Sequence, residues 1–285
     1  MKIKIYKTVQ EFLSENEKLL LENESVTQLI IHNAFVNREK VINREIIFGR
    51  IEEEEEGNIK IIFANVKPYN LLIYNLDNDT VKAVNLLVEY LIEGEIALRG
   101  INANKKICNE FTEYYGYKMN CTFKKYLSMD IMEITKINER LNLPKGNFRL
   151  ATLKDKELLI DWYIKFINEA LNEEISYLDF KDKLNQRIES NNIYIFEDEK
   201  NRAMAMISVT RQLVNGVSVS YVYSSKEARG KGFGLAVVYH LSKEYLDKGN
   251  RFCTLFVDKK NPISNSVYKK IGYRILDNNY DYRIV

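Results

Sequence analysis

The sequence is poor in the residues that build metal centres and disulfide frameworks. Its 285 residues include only two histidines, His32 and His240, and three cysteines, Cys108, Cys121 and Cys253. So few histidines argue against a His-based metal centre, and three widely spaced cysteines form no readable disulfide or zinc motif. We therefore expect no bound metal, and we expect each cysteine to be a small buried apolar side chain or a residue without a role.

Excess charge of one sign and long apolar runs are missing as well. The 42 basic and 40 acidic residues give a net charge of +2, which argues against a general nucleic-acid binder. The N-terminal residues have no hydrophobic region of the signal-peptide kind, and no apolar run approaches the ~20 residues of a membrane helix. We expect a soluble, cytoplasmic protein with neither nucleic acid nor membrane as a partner.

Two domains are expected from the length of the chain, at roughly 150 residues per domain. The turn residues Pro144 and Gly146 mark a linker, so we predict domains at 1–140 and 146–285. Strands alternate with helices, among them helices predicted over 155–171 and 176–190. A parallel crossover is predicted from strand 216–223 through a helix to strand 252–257. Segments 96–118 and 254–274 share the order strand, polar turn, helix and glycine, which is a faint internal repeat of two related domains.

The segment "ARGKGFGLAVVYHL", residues 228–241, places three glycines at alternate positions between a strand and a helix predicted to begin near Phe233. Glycines at such a turn free backbone N–H groups to point at one object, and the helix N-terminus adds partial positive charge. This arrangement suits an anionic phosphate. The spacing matches neither a mononucleotide P-loop nor a dinucleotide-binding fingerprint. The alternative is a turn that serves close packing alone.

A second segment, "LFVDKKNPISNSVYKKIGYR", predicts a strand followed by a helix over 262–271. Asn261 suits the N-cap and Gly272 the C-terminal cap. We expect a core stripe of Ile263, Val267 and Ile271, with Tyr268 off that stripe on the flank of Ser264. The alternative for Tyr268 is a half-exposed aromatic residue without a role.

Together the two segments resemble the signature of the GNAT superfamily of N-acetyltransferases, of the two-domain bacterial type. The resemblance implies an α/β fold of tandem GNAT-like domains, each a mixed, mostly antiparallel sheet flanked by helices. It also implies that acetyl-CoA is the cosubstrate. The expected acetyl-CoA contacts are Tyr221, Val222, Tyr223, Arg229, Gly230, Lys231, Gly232, Phe233, Gly234, Asn261, Ser264 and Tyr268.

The same resemblance implies transfer of an acetyl group to a primary amine by direct attack through a tetrahedral intermediate. Backbone N–H groups of strand 216–223 would hold the thioester carbonyl, and Tyr268 would protonate the departing thiolate. That strand has no carboxylate where many family members carry a glutamate. Glu169 is our candidate base, because it lies on a predicted helical face with Trp162 and Phe166. The alternative is that Glu169 only lies at the solvent edge of this face. Glu173 and Glu174 are more remote candidates.

The first domain is expected to be a degenerate, non-catalytic GNAT-like domain. Its equivalent loop carries Asp77 and Asp79 in place of glycines and cations, and two carboxylates repel a pyrophosphate. Thr112 aligns with Tyr268. The acceptor, a small-molecule or peptide amine, stays unidentified, and association into a homodimer stays open. The alternative function is a non-catalytic CoA-binding sensor or partner-binding protein.

Overall fold

The computed structural model describes residues 1–55, 57–171 and 184–285. The chain forms two compact units, one of Met1–Ile131 with Leu276–Val285 and one of Met132–Ile275. The described elements in chain order are β1 (Lys2–Ile5), α1 (Val9–Glu22), α2 (Glu24–Val36), β2 (Ile46–Glu52), β3 (Ile59–Val66), β4 (Leu71–Asn75), α3 (Val81–Glu93), β5 (Gly100–Ala103), α4 (Lys105–Met119), β6 (Phe123–Ile134), β7 (Gly146–Leu150), α5 (Lys156–Phe166), α6 (184–189), β8 (Ile193–Asp198), β9 (Ala203–Gln212), β10 (Gly216–Ser224), α7 (Phe233–Asp247), β11 (Phe252–Asp258), α8 (Pro262–Ile271) and β12 (Arg274–Ile284).

The first unit contains a sheet with the strand order β1-β2-β3-β4-β5-β12. Neighbouring strands in this order are antiparallel, except that β4 and β5, which α3 connects, are parallel. Both faces of β3 are buried, because Phe63 packs with the residues of α3 and α4 while Ile62 packs with those of α1 and α2. A strand covered on both faces is apolar almost throughout, as β3 is.

The second unit repeats this arrangement with the strand order β11-β10-β9-β8-β7. Here β10 and β11, which α7 connects, form the parallel pair. One face of the sheet packs on α7 and α8, where Val219 and Leu241 lie in one buried cluster. The other face packs on α5 and α6, where Tyr163, Ile188 and Met206 lie in a separate cluster. The predicted fold class, a mixed α/β fold with mostly antiparallel sheets flanked by helices, is confirmed.

The compact units divide the chain at other places than the predicted linker does. Residues 132–140 belong to the second unit. Residues 276–285, which include most of β12, belong to the first, where Tyr280 pairs with Ala103 of β5. The division into functional domains at 1–140 and 146–285 stays a prediction.

Two further differences concern single elements. Strand β1 was not expected, although its lysines and isoleucines alternate as in a half-buried strand, because the pattern covers only four residues. The helix predicted over 155–171 is α-helical only to Phe166 and continues as a π-helix over Ile167–Leu171. Of the helix predicted over 176–190, residues 184–189 are helical, whereas 176–183 lie outside the described residues. Glu173 and Glu174 also lie outside them.

Candidate active site

The glycine segment forms an exposed loop that leads from β10 into α7. Gly230 and Gly232 have φ angles of +78° and +85°, a left-handed conformation that side chains other than glycine rarely adopt. Gly232 is the N-cap of α7, and its carbonyl accepts the helical hydrogen bond from Ala236 at 2.9 Å. The backbone N–H groups at the helix start, from Phe233 onward, precede any intrahelical partner. They point out of the helix end, where partial positive charge attracts an anion.

Gly234 and Gly230 require glycine for different reasons. A Cβ atom on Gly234 would lie 2.9 Å from Oγ of Ser224, so glycine lets the helix start approach the end of β10 closely. A Cβ atom on Gly230 would meet no atom within 4 Å, and its need for glycine is therefore conformational. The amide of Lys231 donates to the carbonyl of Ala228 at 3.2 Å and is thus engaged inside the loop.

Arg229 contacts two other predicted site residues. Its Nη2 lies 2.8 Å from Oε2 of Glu169, and both side chains are about half exposed, at 47% and 48%. The same nitrogen donates to the hydroxyl of Tyr223 at 3.4 Å, and the guanidinium lies 5.5 Å from the centre of the Tyr223 ring. The structure therefore brings Glu169, Tyr223 and Arg229 together beside the glycine loop. Glu169 reaches Arg229 from the π-helix that follows α5.

Strands β10 and β11 form a fork. Their parallel pairing covers Gly216–Ser218 with Phe252–Thr254 and is recorded no further along either strand. Beyond this point β10 continues to pair with β9 on its other side. A β-bulge between Ser220 and Tyr223 interrupts that pairing, and Tyr221 within it has a φ of +54°. Such a conformation costs about 1–3 kcal/mol in a residue other than glycine and is common at functional sites.

The fork turns a backbone donor of β10 toward the gap. Val209 of β9 donates its N–H to the carbonyl of Asn192, on the side away from β10. Val219 is paired with Val209, so by antiparallel alternation its own N–H and carbonyl point away from β9 and into the fork. A fixed N–H in this position is the kind of donor that stabilises an oxyanion during acyl transfer.

The start of α8 is fixed by local hydrogen bonds. The side chain of Asn261 is the N-cap and accepts from the N–H of Ser264 at 3.0 Å. Asn265, which the sequence did not single out, donates its amide to the carbonyls of Asp258 and Asn261, at 3.0 and 2.8 Å. These bonds fix the turn between β11 and α8, so the predicted capping role of Asn261 is confirmed. Its contact with acetyl-CoA stays a prediction.

Tyr268 lies on the buried face of α8, and its expected place off the core stripe is wrong. Its side chain is 7% exposed, whereas Ile263, assigned to the stripe, is 77% exposed. The Tyr268 ring lies 5.8 Å from that of Tyr273, and both belong to the core cluster of α7 and α8. Burial raises the pKa of Tyr268 above its ordinary value, so the hydroxyl keeps its proton at neutral pH. Among the described residues, no hydrogen-bond partner of that hydroxyl is found.

The face of the sheet that packs on α5 and α6 carries polar residues that sequence reasoning missed. Tyr163 of α5 is hydrogen-bonded to Ser208 of β9, and both are buried. Burial raises the pKa of Tyr163 to about 12. Two arginines, Arg187 of α6 and Arg211 of β9, are half-buried on this face. The signal available in the sequence was Ser208, a polar residue inside the apolar run of β9, but its partner could not be read.

The first unit has a different loop at the equivalent place. Asp77 is paired with Lys60 at 2.5 Å and also accepts from the amide of Asp79 at 3.0 Å. The hydrogen bond from Lys60 lowers the pKa of Asp77 to about 2, so this carboxylate is ionised at neutral pH. Counted from the N-cap Asn104 of α4, the position of Tyr268 is taken by the buried Phe111 rather than by Thr112. Neither residue supplies a phenol.

The fork, the glycine loop and the two helices define the fold: the chain has the fold of the GNAT acetyltransferases. Residues 195–282 match the family model described as "FR47-like protein", a GNAT-related family. A GNAT-family acetyltransferase from Colwellia psychrerythraea is 12% identical, with a TM-score of 0.59 over 100% of both chains. The resemblance to the GNAT superfamily is therefore confirmed.

Two further solved structures share this fold. A GCN5-related N-acetyltransferase from Sphaerobacter thermophilus is 12% identical, with a TM-score of 0.59 over 88% of this chain and 84% of that one. A Drosophila protein is 12% identical, with a TM-score of 0.65 over 99% and 98%. At this identity the likeness shows a shared fold. No curated protein matches the sequence.

The described residues contain neither a cluster of metal ligands nor a membrane-spanning helix. No group of three or more histidine, cysteine, aspartate or glutamate side chains within them could hold a metal ion. None of the helices within the same ranges combines the length and apolarity needed to cross a lipid bilayer.

Proposed function

We propose that the protein is an acetyl-CoA-dependent N-acetyltransferase whose second unit transfers an acetyl group to a primary amine. The observation that carries the proposal is the continuity of two features on β10. The strand separates from β11 beyond Ser218, and it then leads directly into the glycine loop and the N-terminus of α7. A thioester carbonyl and a pyrophosphate of the same cosubstrate can therefore be bound by one stretch of backbone.

The loop supplies the binding site for the pyrophosphate in this proposal. The N–H groups of Phe233 and Gly234 at the start of α7 bind its oxygens, and Arg229 and Lys231 add positive charge. Arg229 is already paired with Glu169, so the pyrophosphate either replaces this carboxylate or shares the arginine with it. Because the Arg229–Glu169 pair is half exposed, exchanging it costs little, on the order of 1 kcal/mol or less.

The chemical step requires a donor for the oxyanion, an acid and a base. The Val219 N–H binds the oxygen that becomes negative when the amine nitrogen attacks the carbonyl carbon. As the carbon–sulfur bond breaks, Tyr268 gives its proton to the thiolate, a role that suits a hydroxyl still protonated at neutral pH. The attacking amine loses a proton, and we assign Glu169 as its acceptor, directly or through water. The first unit has no catalytic role in this proposal.

One observation favours a second candidate, a CoA-binding protein without turnover. None of the residues of β10, Gly216–Ser224, is a carboxylate. The nearest assigned base, Glu169, is held by Arg229 rather than directed into the fork. A protein of this second kind would bind acetyl-CoA through the same loop and release no thiol.

The experiment is a pair of measurements on the full chain. Calorimetric titration with acetyl-CoA tests binding, and thiol release with a panel of primary amines tests turnover. We expect both signals. Binding without thiol release from any amine would favour the sensor, and absence of binding would overturn both candidates.

A further inference from the structure

Arg211 lies at the base of the fork. It is on β9, and its Nη2 donates to Oγ of Ser218 at 2.8 Å, across the last residue of β10 that still pairs with β11. Its guanidinium also lies 5.9 Å from the ring centre of Phe256, two residues beyond the last paired residue of β11. The arginine therefore reaches across β10 to the point where the two strands separate.

Arg187 lies at the other side of the same opening. It extends from α6, and its guanidinium lies 5.3 Å from the ring centre of Tyr221, the strained residue in the bulge of β10. The Phe166 ring of α5 lies 5.2 Å from the same tyrosine ring. Tyr221 is within electrostatic reach of both Arg187 and Arg211. The two guanidinium groups thus share one neighbour three residues past the start of the fork.

Both arginines belong to the face that packs on α5 and α6, opposite the face of α7 and α8. The side chains around them are half-buried: Phe166, Arg187, Arg211, Ser220, Tyr221 and Phe256. Burial lowers the pKa of Arg211 to about 10, which leaves it charged at neutral pH. Cations in partly desolvated surroundings attract anions more strongly than cations in open water. Arginine in particular binds carboxylates through paired, parallel N–H donors.

We propose that Arg187 and Arg211 bind the carboxylate of the acceptor, and that the acceptor is a small amino acid with a free carboxyl group. This inference rests on the proposed function, because it names the substrate class of that same site. A carboxylate held at the base of the fork leaves the amine, one carbon away, beside the backbone of β10 where the thioester carbonyl binds. Uncharged amines and polyamines lack the group that the arginines recognise.

The first test uses the unmodified protein and matched acceptors. Each α-amino acid is compared with its own amide, for example L-alanine with L-alaninamide, and with the amine that has a methyl group instead, isopropylamine. We expect at least one amino acid to be acetylated about a hundredfold more efficiently than its amide, the size expected for a lost charge-assisted hydrogen bond. Equal or better turnover of the amides, or of peptides, would overturn the inference.

The second test uses variants. Arg211→Gln and Arg187→Gln should each raise the KM of the preferred amino acid at least tenfold, while the affinity for acetyl-CoA stays unchanged. Turnover of the corresponding amide should fall much less than turnover of the amino acid, because the lost interaction involves the carboxylate. Arg202→Gln is the matched control, since Arg202 is exposed and pairs with Asp198 in the turn between β8 and β9. If Arg211→Gln does not fold, Arg187→Gln and the acceptor comparison still decide.

The outcomes separate this inference from the proposed function. Thiol release with other amines but with no amino acid would retain the enzyme and overturn the carboxylate site. If acetyl-CoA binds and no amine releases thiol, the enzyme assignment fails. Calorimetric titration with the amino acids and their amides then decides the carboxylate site by itself, because binding of the acid alone, lost in Arg211→Gln, would support it and equal binding would refute it.

Discussion

At the scale of single residues, Tyr268 combines a buried ring with a hydroxyl that has no partner among the described residues. Tyr268→Phe keeps the ring and removes only this hydroxyl, so we expect little change in stability. If the hydroxyl protonates the thiolate, kcat should fall about 100-fold with unchanged affinity for acetyl-CoA, the usual range for a general acid. Steady-state kinetics and calorimetry measure the two quantities.

Tyr273→Phe is the control for this substitution. Tyr273 is equally buried, but its hydroxyl is hydrogen-bonded to Ser242 at 2.8 Å. Its loss should cost about 1 kcal/mol of stability and leave kcat unchanged. Equal kcat in wild type and Tyr268→Phe would show that Tyr268 is not the acid.

The pKa of Tyr268 sets a second expectation, for the pH profile. A raised pKa keeps the acid form present throughout the range below pH 10, the ordinary value for tyrosine. Loss of this proton should therefore not reduce kcat as the pH rises from 7 to 10. The free energy of unfolding should also be constant below pH 10 as far as Tyr268 is concerned. Because the pKa is raised in the folded state, the contribution of Tyr268 to stability is present below pH 10 and is lost at higher pH. An alkaline decline of kcat below pH 9 that disappears in Tyr268→Phe would contradict this assignment.

Glu169 tests whether a carboxylate beside the loop takes part in proton transfer. Glu169→Gln removes its charge, and because the ion pair with Arg229 is half exposed we expect a stability change below about 1 kcal/mol. If Glu169 is the base, the Glu169→Gln variant should lower kcat/KM for the amine at least tenfold. The matched control is Asp161→Asn on α5, where Asp161 is 49% exposed and pairs with Lys165. If both variants keep full kcat/KM, Glu169 is a partner of Arg229 only.

At the scale of secondary-structure elements, α7 is flanked by two glycines that share a left-handed backbone conformation, and only one of them lies in the glycine loop. Gly232 at its N-terminus has a φ of +85°, and Gly249, two residues beyond its last helical residue, has a φ of +94°. Substitution by alanine strains either position by about 1–2 kcal/mol. Only Gly232→Ala should also weaken acetyl-CoA binding, by at least tenfold in calorimetry, because only Gly232 belongs to the loop. Equal affinity in the two variants would remove the loop from the binding site.

The elements themselves were largely predictable, because their ends carry strong local signals. Asn261 and Gly272 bound α8 as expected, and Gly232 and Gly249 lie at the two ends of α7. Which face of α8 is buried was not predictable, since Tyr268 and Ile263 are both apolar enough for a core. The decision depends on what packs against the helix, and that information lies elsewhere in the chain.

The arginines of the fork show the same limit for the site. Arg211 follows the apolar residues of β9 and Arg187 lies on a helix with few distinguishing features, so neither stands out in the sequence. They approach one tyrosine only because β9 pairs with β10 in a register that sets Arg211 beside Ser218. The glycine loop, in contrast, is contiguous and could be recognised from its residues alone. A site whose residues are consecutive in the sequence can be recognised from it, whereas a site formed by the register of neighbouring strands cannot.

At the scale of the whole molecule, the last strand belongs to the core of the first unit. Tyr280 of β12 is 8% exposed and packs in the cluster of α3 and α4, whereas Ile275, on the same strand, is 45% exposed. Tyr280→Ala should lower the free energy of unfolding by about 3 kcal/mol, within the range for truncating a large core side chain. Ile275→Ala, the control, should cost less than about 1 kcal/mol. Urea denaturation measures both, and equal losses would contradict the assignment of β12 to this core.

Because β12 belongs to the first unit, it also affects the order in which the two units can fold during synthesis. The ribosome makes residues 1–131 first, but the strand that pairs with β5 emerges only after residues 132–275 have been made. Residues 132–275 can therefore fold while β5, in the sheet of residues 1–131, still lacks its partner strand β12. Nascent chains arrested behind a linker long enough to carry residue 275 out of the ribosome should therefore be cut by protease in the first hundred residues before they are cut in the glycine loop.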